Sequence, residues 1–182
     1  MPVYVSMLRG INVGPHKLIK MDKLRACFEE LGLQQVKTYI QSGNVLFKAG
    51  KIVPLALSAK IENELQKNFG FSVPVVSRTA EEINASASQN PFLKEPGIDP
   101  EKLHVMFLSD APAAAAIKKL DDLLAVPEQY RWSGQEIYLY LPNGVAASKL
   151  MKAPLDRIFS VTTTTRNWKT VNQLAQMCQD CR

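Results

Sequence analysis

Hydrophobic and polar positions divide the first part of the chain into strands and helices. Residues 3–8 form a short apolar run, which predicts a buried strand. Apolar residues recur at helical spacing over residues 21–31 and again over 57–69. Gly32 and Gly70 follow these two patterns and are placed to end the helices, because glycine readily adopts the left-handed conformation found there.

Three more strands are predicted in the same region from β-branched and alternating residues. They lie at residues 36–40, 45–47 and 71–76. Pro74 places the last strand at a sheet edge, because proline has no backbone N–H to donate. The resulting order, βαββαβ, is that of a ferredoxin-like unit.

A linking stretch follows, in which Thr79 is expected to cap a short helix through Ser88. The order then repeats in the second part of the chain. The strands predicted there span residues 103–108, 130–132, 136–141 and 161–165. The helices predicted there span residues 113–124, residues 147–158 with an interruption at Pro154, and residues 171–177.

The sequence therefore predicts an α+β fold, with two ferredoxin-like units in tandem and an extra C-terminal helix. The predicted domains are a first unit at residues 1–78, a linking helix and loop at 79–101, and a second unit with the C-terminal helix at 102–182.

Two polar, glycine-containing segments stand out in the first unit. They are Arg-Gly-Ile-Asn-Val-Gly at residues 9–14 and Gln-Ser-Gly-Asn at residues 41–44. In a βαββαβ unit, the loop after the first strand and the hairpin between the next two strands lie at the same edge of the sheet, namely the one formed by the ends of the strands. The N-terminus of the first helix, with its unpaired N–H groups and partial positive charge, points there as well. We therefore predict that a phosphate or carboxylate binds at this edge.

Roles within this predicted site follow from side-chain chemistry. Arg9 and Lys17 would neutralise the charge of the anion, whereas Asn12, Ser42 and Asn44 would fix its orientation. The nearby His16 and Lys20 are further cationic or hydrogen-bonding groups. The segment has neither the ending of a P-loop nor the glycine spacing of a Rossmann fingerprint.

Turn chemistry is the alternative explanation of the same residues. Gly10, Gly14 and Gly43 would then supply positive φ angles, while Asn12 and Asn44 would tie down their own turns.

A third polar segment, Thr-Thr-Thr-Arg-Asn-Trp, covers residues 163–168, where the last strand meets the last helix. Thr165 or Asn167 is placed to cap that helix. Arg166 could clamp an anion and Trp168 could stack on a ring. The alternative is that Trp168 is an interdomain packing residue, the more usual role of a tryptophan, and that Arg166 is its cation–π or capping neighbour.

Catalytic groups are sparse. The two histidines are His16, on the first polar loop, and His104, inside an apolar strand where a core role is expected. Ser42 could act as a nucleophile only with a nearby base, and His16 is the candidate.

Cysteine spacing predicts no metal or cofactor. Cys178 and Cys181 form a C-x-x-C near the C-terminus, but a zinc site needs four ligands and no second pair is present. A redox pair is expected at a helix start, whereas this pair ends a helix. We expect both thiols to lie in a frayed tail.

The charge pattern bears on possible partners. The 182 residues carry a formal net charge of +5, but no run of Lys and Arg exceeds two residues. This favours anions in general, and nucleic acid remains an alternative although no RNP1-like string is present. With no apolar run long enough for a bilayer and no signal-peptide pattern, a cytoplasmic protein without a membrane partner is expected.

Taken together, the motifs resemble a family of uncharacterised bacterial proteins. Its members carry R-G-I-N-V-G-G, T-Y-I-Q-S-G-N-V, N-P-F and T-R-N-W-x-T-V, which correspond here to residues 9–14, 38–45, 90–92 and 165–171. Pro15 stands in place of the second glycine of the first motif. The resemblance implies paired ferredoxin-like domains and brings no known activity. The positions it singles out are Arg9, Asn12, Gly14, Gln41, Ser42, Gly43, Asn44, Arg166, Asn167 and Trp168.

The leading hypothesis is therefore a module that binds an anionic small molecule, such as a nucleotide or phosphorylated metabolite. The alternatives are a nucleic-acid-binding protein, an enzyme that uses His16 or Ser42, and an interaction protein whose polar loops are only structural.

Overall fold

A computed structural model describes residues 1–181 of the chain. It has the predicted α+β fold, with two four-stranded antiparallel sheets, flanking helices and a C-terminal helix. Two compact units are present: one contains residues 1–84 together with the chain from Gln173 onward, and the other contains residues 85–172.

The first unit is a βαββαβ sheet with two helices. Its strands are β1 (Val3–Leu8), β2 (Gln34–Tyr39), β3 (Asn44–Lys48) and β4 (Val75–Thr79). The strand order is β2-β3-β1-β4. The C-terminal end of β1 lies beside the N-terminal end of β3, so the two polar segments, residues 9–14 and 41–44, are at the same end of the sheet. Helices α1 (Met21–Glu30) and α2 (Pro54–Phe69) connect the strands.

Apolar side chains on one face of this sheet pack against the two helices. Tyr4 and Phe47 from the strands join Phe28 of α1 and Ile61 of α2 in one buried cluster. Each fully buried aliphatic or aromatic side chain stabilises the unit by roughly 1.5–3 kcal/mol relative to exposure. The apolar residues that recur at helical spacing in the sequence are therefore those by which the helices contact the sheet.

The second unit repeats this plan. Its strands are β5 (Leu103–Leu108), β6 (Gln129–Ser133), β7 (Glu136–Tyr140) and β8 (Thr163–Asn167), in the order β6-β7-β5-β8. The helices that belong to it or begin in it are α4 (Ala114–Ile117), α5 (Leu120–Leu123), α6 (Leu155–Phe159) and α7 (Trp168–Asp180).

Two predicted helices of this unit take a different form. The alanine-rich stretch is divided into α4 and α5 by a tighter turn, in which Lys119 N donates to Ala116 O at 3.2 Å. Pro154 directly precedes α6, which therefore starts after the proline instead of running through it.

The fourth strand of each unit starts later than predicted. β4 begins at Val75, one residue after Pro74, and β8 begins at Thr163. β4 does lie at the edge of its sheet. The apolar residues before each strand, such as the buried Val73, are part of the core without being part of the ladder.

Helix α3 (Ala80–Ser88) begins as predicted, after Thr79. Thr79 Oγ1 accepts from Glu82 N at 3.2 Å, and Glu82 Oε2 accepts from Thr79 N at 2.8 Å. This reciprocal pair is a capping box, which satisfies two backbone N–H groups at the helix start.

Cys178 and Cys181 are both buried, so the prediction that they lie in a frayed tail is wrong. Helix α7 has an apolar stripe, and it continues through Leu174 and Ala175 to the two cysteines. Lys37 Nζ lies 3.5 Å from Cys181 Sγ in the first unit.

The boundary between the compact units falls inside α3 and inside α7. The predicted division into a first unit at residues 1–78, a linking segment at 79–101 and a second unit at 102–182 stays a prediction.

Candidate functional site

The two polar segments of the first unit meet at one place, which we call the loop edge: residues 9–20 and 40–44. The side-chain amide of Asn12 connects them. Asn12 Nδ2 donates to Gln41 O at 2.9 Å and to Ile19 O at 2.9 Å, and Asn12 Oδ1 accepts from Ile19 N at 2.9 Å. The loop after β1 and the β2–β3 hairpin are therefore neighbours, as the topology predicted.

Position 43 requires a glycine, because both its backbone conformation and the space around it exclude a side chain. Its φ is +84°, and a Cβ built on it would lie 2.8 Å from both Ile11 Cδ1 and Leu8 Cβ. Gly43 O also accepts a hydrogen bond from Leu8 N at 2.8 Å. The hairpin can approach β1 this closely only because residue 43 has no side chain.

Asn44 closes the hairpin from inside. It is fully buried, and its Nδ2 donates to Tyr39 O and to Ser42 Oγ, both at 3.1 Å. Together with Asn12 and Gly43, it builds the turns, which agrees with the turn-chemistry alternative for these three residues. Gly14 differs, because it is exposed and its φ is not positive.

The basic groups of the loop edge lie towards its surface. Lys17, His16 and Lys20 are exposed, and Arg9 is half-buried with its backbone N donating to Pro74 O at 3.0 Å. Lys17 Nζ donates to Ser72 O at 2.8 Å. Residues 9–20 contain no acidic side chain, so the ionisable side chains of this loop are all basic.

Helix α1 starts at the end of the same loop. Its N-cap is Lys20, which makes no side-chain capping hydrogen bond. The helix dipole adds partial positive charge there, and Asp22 in the first turn reduces it.

Backbone strain is concentrated at the loop edge. Asn12, Lys17 and Ile40 adopt φ angles of 55°, 54° and 50°, respectively. A left-handed conformation costs about 1–2 kcal/mol for a residue other than glycine, and it is a clear outlier for a β-branched residue such as Ile40. The fold holds these loops in one defined and unfavourable shape.

The proposed Ser42–His16 catalytic pair is not assembled. Ser42 Oγ accepts from Asn44 Nδ2, whereas His16 makes no hydrogen bond within residues 1–181. His104 is partly buried on β5 with Nδ1 3.3 Å from Lys102 O, and burial lowers its pKa from 6.5. It therefore occupies a structural position in the sheet, as expected.

The Thr-Arg-Asn-Trp segment lies in the second unit. There Arg166 and Trp168 are buried, and Asn167 caps helix α7. Arg166 is 8% exposed, and its Nη1 donates to Thr164 Oγ1 at 2.8 Å and to Thr165 O at 3.0 Å. Burial lowers the pKa of Arg166 to about 10, which still leaves it charged at neutral pH. Asn167 Oδ1 caps α7 by accepting from Thr170 N at 2.8 Å.

Trp168 is 9% exposed at the start of α7, and its carbonyl accepts from Asn172 Nδ2 at 2.8 Å. Trp168 is therefore largely covered by other protein atoms. A ligand-binding role for Arg166, Asn167 and Trp168 stays a prediction.

Sequence reasoning missed the counterpart of Arg166 in the first unit. Arg78 is 2% exposed and pairs with Val5 on β1, just as Arg166 pairs with Val105 on β5. Each arginine is followed by the residue that caps the next helix, Thr79 or Asn167. Aligning the two βαββαβ repeats would have brought Ser-Arg-Thr and Thr-Arg-Asn together.

Two further features concern the described part of the chain. Among residues 1–181, no three histidine, cysteine or acidic side chains are grouped so that they could hold a metal ion. The helices found over the same residues are too short or too polar to cross a bilayer.

Comparison with known proteins supports the fold and the family. A search of curated proteins gave no match. The conserved bacterial protein SP0830 from Streptococcus pneumoniae is similar in structure, with a TM-score of 0.76, 97% of this chain and 98% of that chain covered, and 23% sequence identity. At this identity the likeness concerns the fold alone.

The sequence profile of a family described as "Protein of unknown function (DUF1697)" matches residues 1–138, a span that contains the entire loop edge. The chain therefore belongs to the DUF1697 family.

Proposed function

We propose that this protein binds an anionic small molecule, of the nucleotide or phosphorylated-metabolite class, at the loop edge. The observation that carries the proposal is the hydrogen bond from Asn12 Nδ2 to Gln41 O at 2.9 Å. Because this bond makes the basic loop and the hairpin neighbours, it supports a single binding site built from both segments.

The side chains divide into two sets with different roles. Asn12, Gly43 and Asn44 position the loops, since their contacts lie inside the turns. Arg9 and Lys17 provide positive charge, and hydrogen bonds from their N–H groups to an anion are charge-assisted. The further polar groups of the edge, namely Gly14, Gln41 and Ser42, are exposed or half-buried.

The sheet faces favour a small anion over a single-stranded nucleic acid. Nucleic-acid-binding sheets of this topology stack bases on exposed aromatic side chains of their central strands. All six residues of β1 are buried here, and its aromatic side chain, Tyr4, is 2% exposed. Phe47 on β3 and Phe107 on β5 are fully buried as well.

Thermal-shift screening tests the proposal. The panel contains inorganic phosphate, pyrophosphate, nucleotides and sugar phosphates, and a ligand present at 100 times its Kd stabilises the folded state by about 2.7 kcal/mol. We expect at least one of these anions to raise the Tm of the wild type, and the effect to weaken as salt is added.

Charge-removing variants locate the effect. In Lys17→Gln/Lys20→Gln, we expect the affinity to fall roughly tenfold, because each lost cation contributes on the order of 0.5–1 kcal/mol at an exposed site. Lys60→Gln, an exposed position on α2, is the control and should retain the wild-type affinity. Equal affinities in all three proteins would contradict binding at the loop edge.

A further inference from the structure

The loop edge also exposes aliphatic side chains. Val13 is 80% exposed, Leu18 is 63% exposed and Ile40 is 48% exposed. A single exposed aliphatic residue is common on protein surfaces, but several in one place point to a binding surface.

These three residues flank, in sequence, the residues joined by the Asn12 side-chain amide. Val13 follows Asn12, Leu18 precedes Ile19, and Ile40 precedes Gln41. The amide of Asn12 joins the backbones of Ile19 and Gln41, each at 2.9 Å. Every one of the aliphatic residues is therefore directly next in sequence to a residue of this network.

The backbone holds this arrangement at a cost. Ile40 has a φ of 50°, and Lys17, the neighbour of Leu18, has a φ of 54°. Glycine, or to a lesser degree asparagine, would relieve the strain at Ile40 and would also reduce the apolar surface in contact with water. A strained, exposed and apolar conformation is an outlier from which a binding role is inferred.

Basic residues alternate with the aliphatic ones along the loop. His16 and Lys17 precede Leu18, and Lys20 follows after one buried residue. A purely inorganic anion would use the charges and leave the aliphatic side chains in water, whereas a neutral apolar molecule would use only the latter.

We propose that the ligand of the loop edge is a small amphiphilic anion, a phosphate or carboxylate that carries an alkyl or aryl group. The anionic group contacts Lys17 and its cationic neighbours, while the apolar group covers Leu18, Val13 and Ile40. This inference rests on the function proposed above and specifies the chemical class of its ligand.

A series of alkyl phosphates tests it on the intact protein. Inorganic, methyl, butyl and hexyl phosphate are titrated by calorimetry under one set of conditions. Burial of a methylene group is worth about 0.8 kcal/mol, which corresponds to about fourfold in affinity. We expect the affinity to rise along the series, by up to fourfold for each methylene that reaches the aliphatic side chains.

Matched variants separate the two parts of the site. Leu18→Ser should flatten the dependence of the affinity on alkyl chain length, and an unchanged dependence would contradict contact between Leu18 and the alkyl group. Leu55→Ser is the control, because Leu55 has a similar exposure of 53% but lies on α2. Lys17→Gln should weaken the binding of every member by a similar factor.

Each outcome decides the inference. Equal affinities for all members overturn the amphiphilic ligand and leave anion binding in place, whereas no binding of any member overturns both proposals. Vesicles that contain phosphatidic acid are a further arm. Stronger binding to these vesicles than to hexyl phosphate, at equal accessible phosphate concentration, overturns the small-molecule form of the inference in favour of a lipid surface.

Discussion

Single residues at the loop edge show how closely local chemistry is tied to backbone geometry. Gly43 and Gly14 belong to similar polar motifs, yet they differ in backbone conformation and in the space around them. The first combines a φ of +84° with a space that a Cβ would fill at 2.8 Å, whereas nothing lies within 4 Å of a Cβ at the second. The sequence alone does not distinguish them, because the difference arises from contacts with Leu8 and Ile11.

Gly43→Ala should therefore destabilise the protein strongly. The unfavourable φ costs about 1–2 kcal/mol and the overpacking about 1–3 kcal/mol. Urea unfolding should give a loss of about 2–5 kcal/mol in the free energy of unfolding. Gly14→Ala is the control, and a comparable loss in both variants would contradict this account of Gly43.

Asn12 carries the connection between the loops, so Asn12→Gly should loosen it. Glycine tolerates the φ of 55° but lacks the amide that bonds Ile19 and Gln41. Hydrogen exchange should become faster at the amide of Ile19, which loses its acceptor, whereas amides in β5 should be unaffected. Unchanged exchange at Ile19 would show that the amide does not hold the loop.

Cys27 gives a prediction about pH. Burial, with a smaller contribution from Glu64, raises the pKa of its thiol from 9.0 to about 11. The unfolded thiol loses its proton first, so the stability that this group contributes is complete below pH 9 and is lost between pH 9 and 11. The urea midpoint of the wild type should fall more steeply over this range than that of Cys27→Ala, and parallel pH profiles would contradict the shift.

Helices and strands were predictable where a local pattern determines them. β5 has the predicted limits, and α3 starts where its capping box requires. The prediction was less accurate where tertiary contacts determine the limits of an element. α4 and α5 were predicted as one helix, and Pro154 defines the start of α6 instead of a kink within it. In such places apolar composition identifies the core, while backbone hydrogen bonding sets the ends of the element.

The capping box of α3 can be tested as an element. Thr79→Ala removes the hydroxyl that accepts from Glu82 N, and a lost N-cap costs about 0.5–2 kcal/mol. Thr79→Ser retains the hydroxyl and should keep most of the stability. If both variants unfold at the same urea concentration, the cap does not stabilise the helix.

At the scale of the whole molecule, one topology is used twice. Each unit ends in a strand with a buried arginine, Arg78 or Arg166, followed by a capped helix. The repeated βαββαβ pattern was predictable because hydrophobic periodicity is local information. The membership of residues from Gln173 onward in the first compact unit was not predictable, because it depends on contacts between distant parts of the chain.

The C-terminal half of α7 should accordingly contribute to global stability. Leu174 is fully buried, so Leu174→Ala is expected to cost about 2–5 kcal/mol. Gln176→Ala, an exposed neighbour on the same helix, should change the free energy of unfolding by about 0.5 kcal/mol or less. Similar small effects in both variants would contradict a buried role for this helix.

The central claim is that an anion binds at the loop edge, and mapping its position by NMR tests this most directly. The ¹⁵N-labelled protein is titrated with pyrophosphate while the backbone amide shifts are followed. We predict saturable shifts at the backbone amides of residues 9–14, 16–20 and 40–44, all fitting one Kd, and a roughly tenfold larger Kd for these shifts in Lys17→Gln/Lys20→Gln. The absence of saturable shifts there, or a set confined to other residues, would contradict the claim.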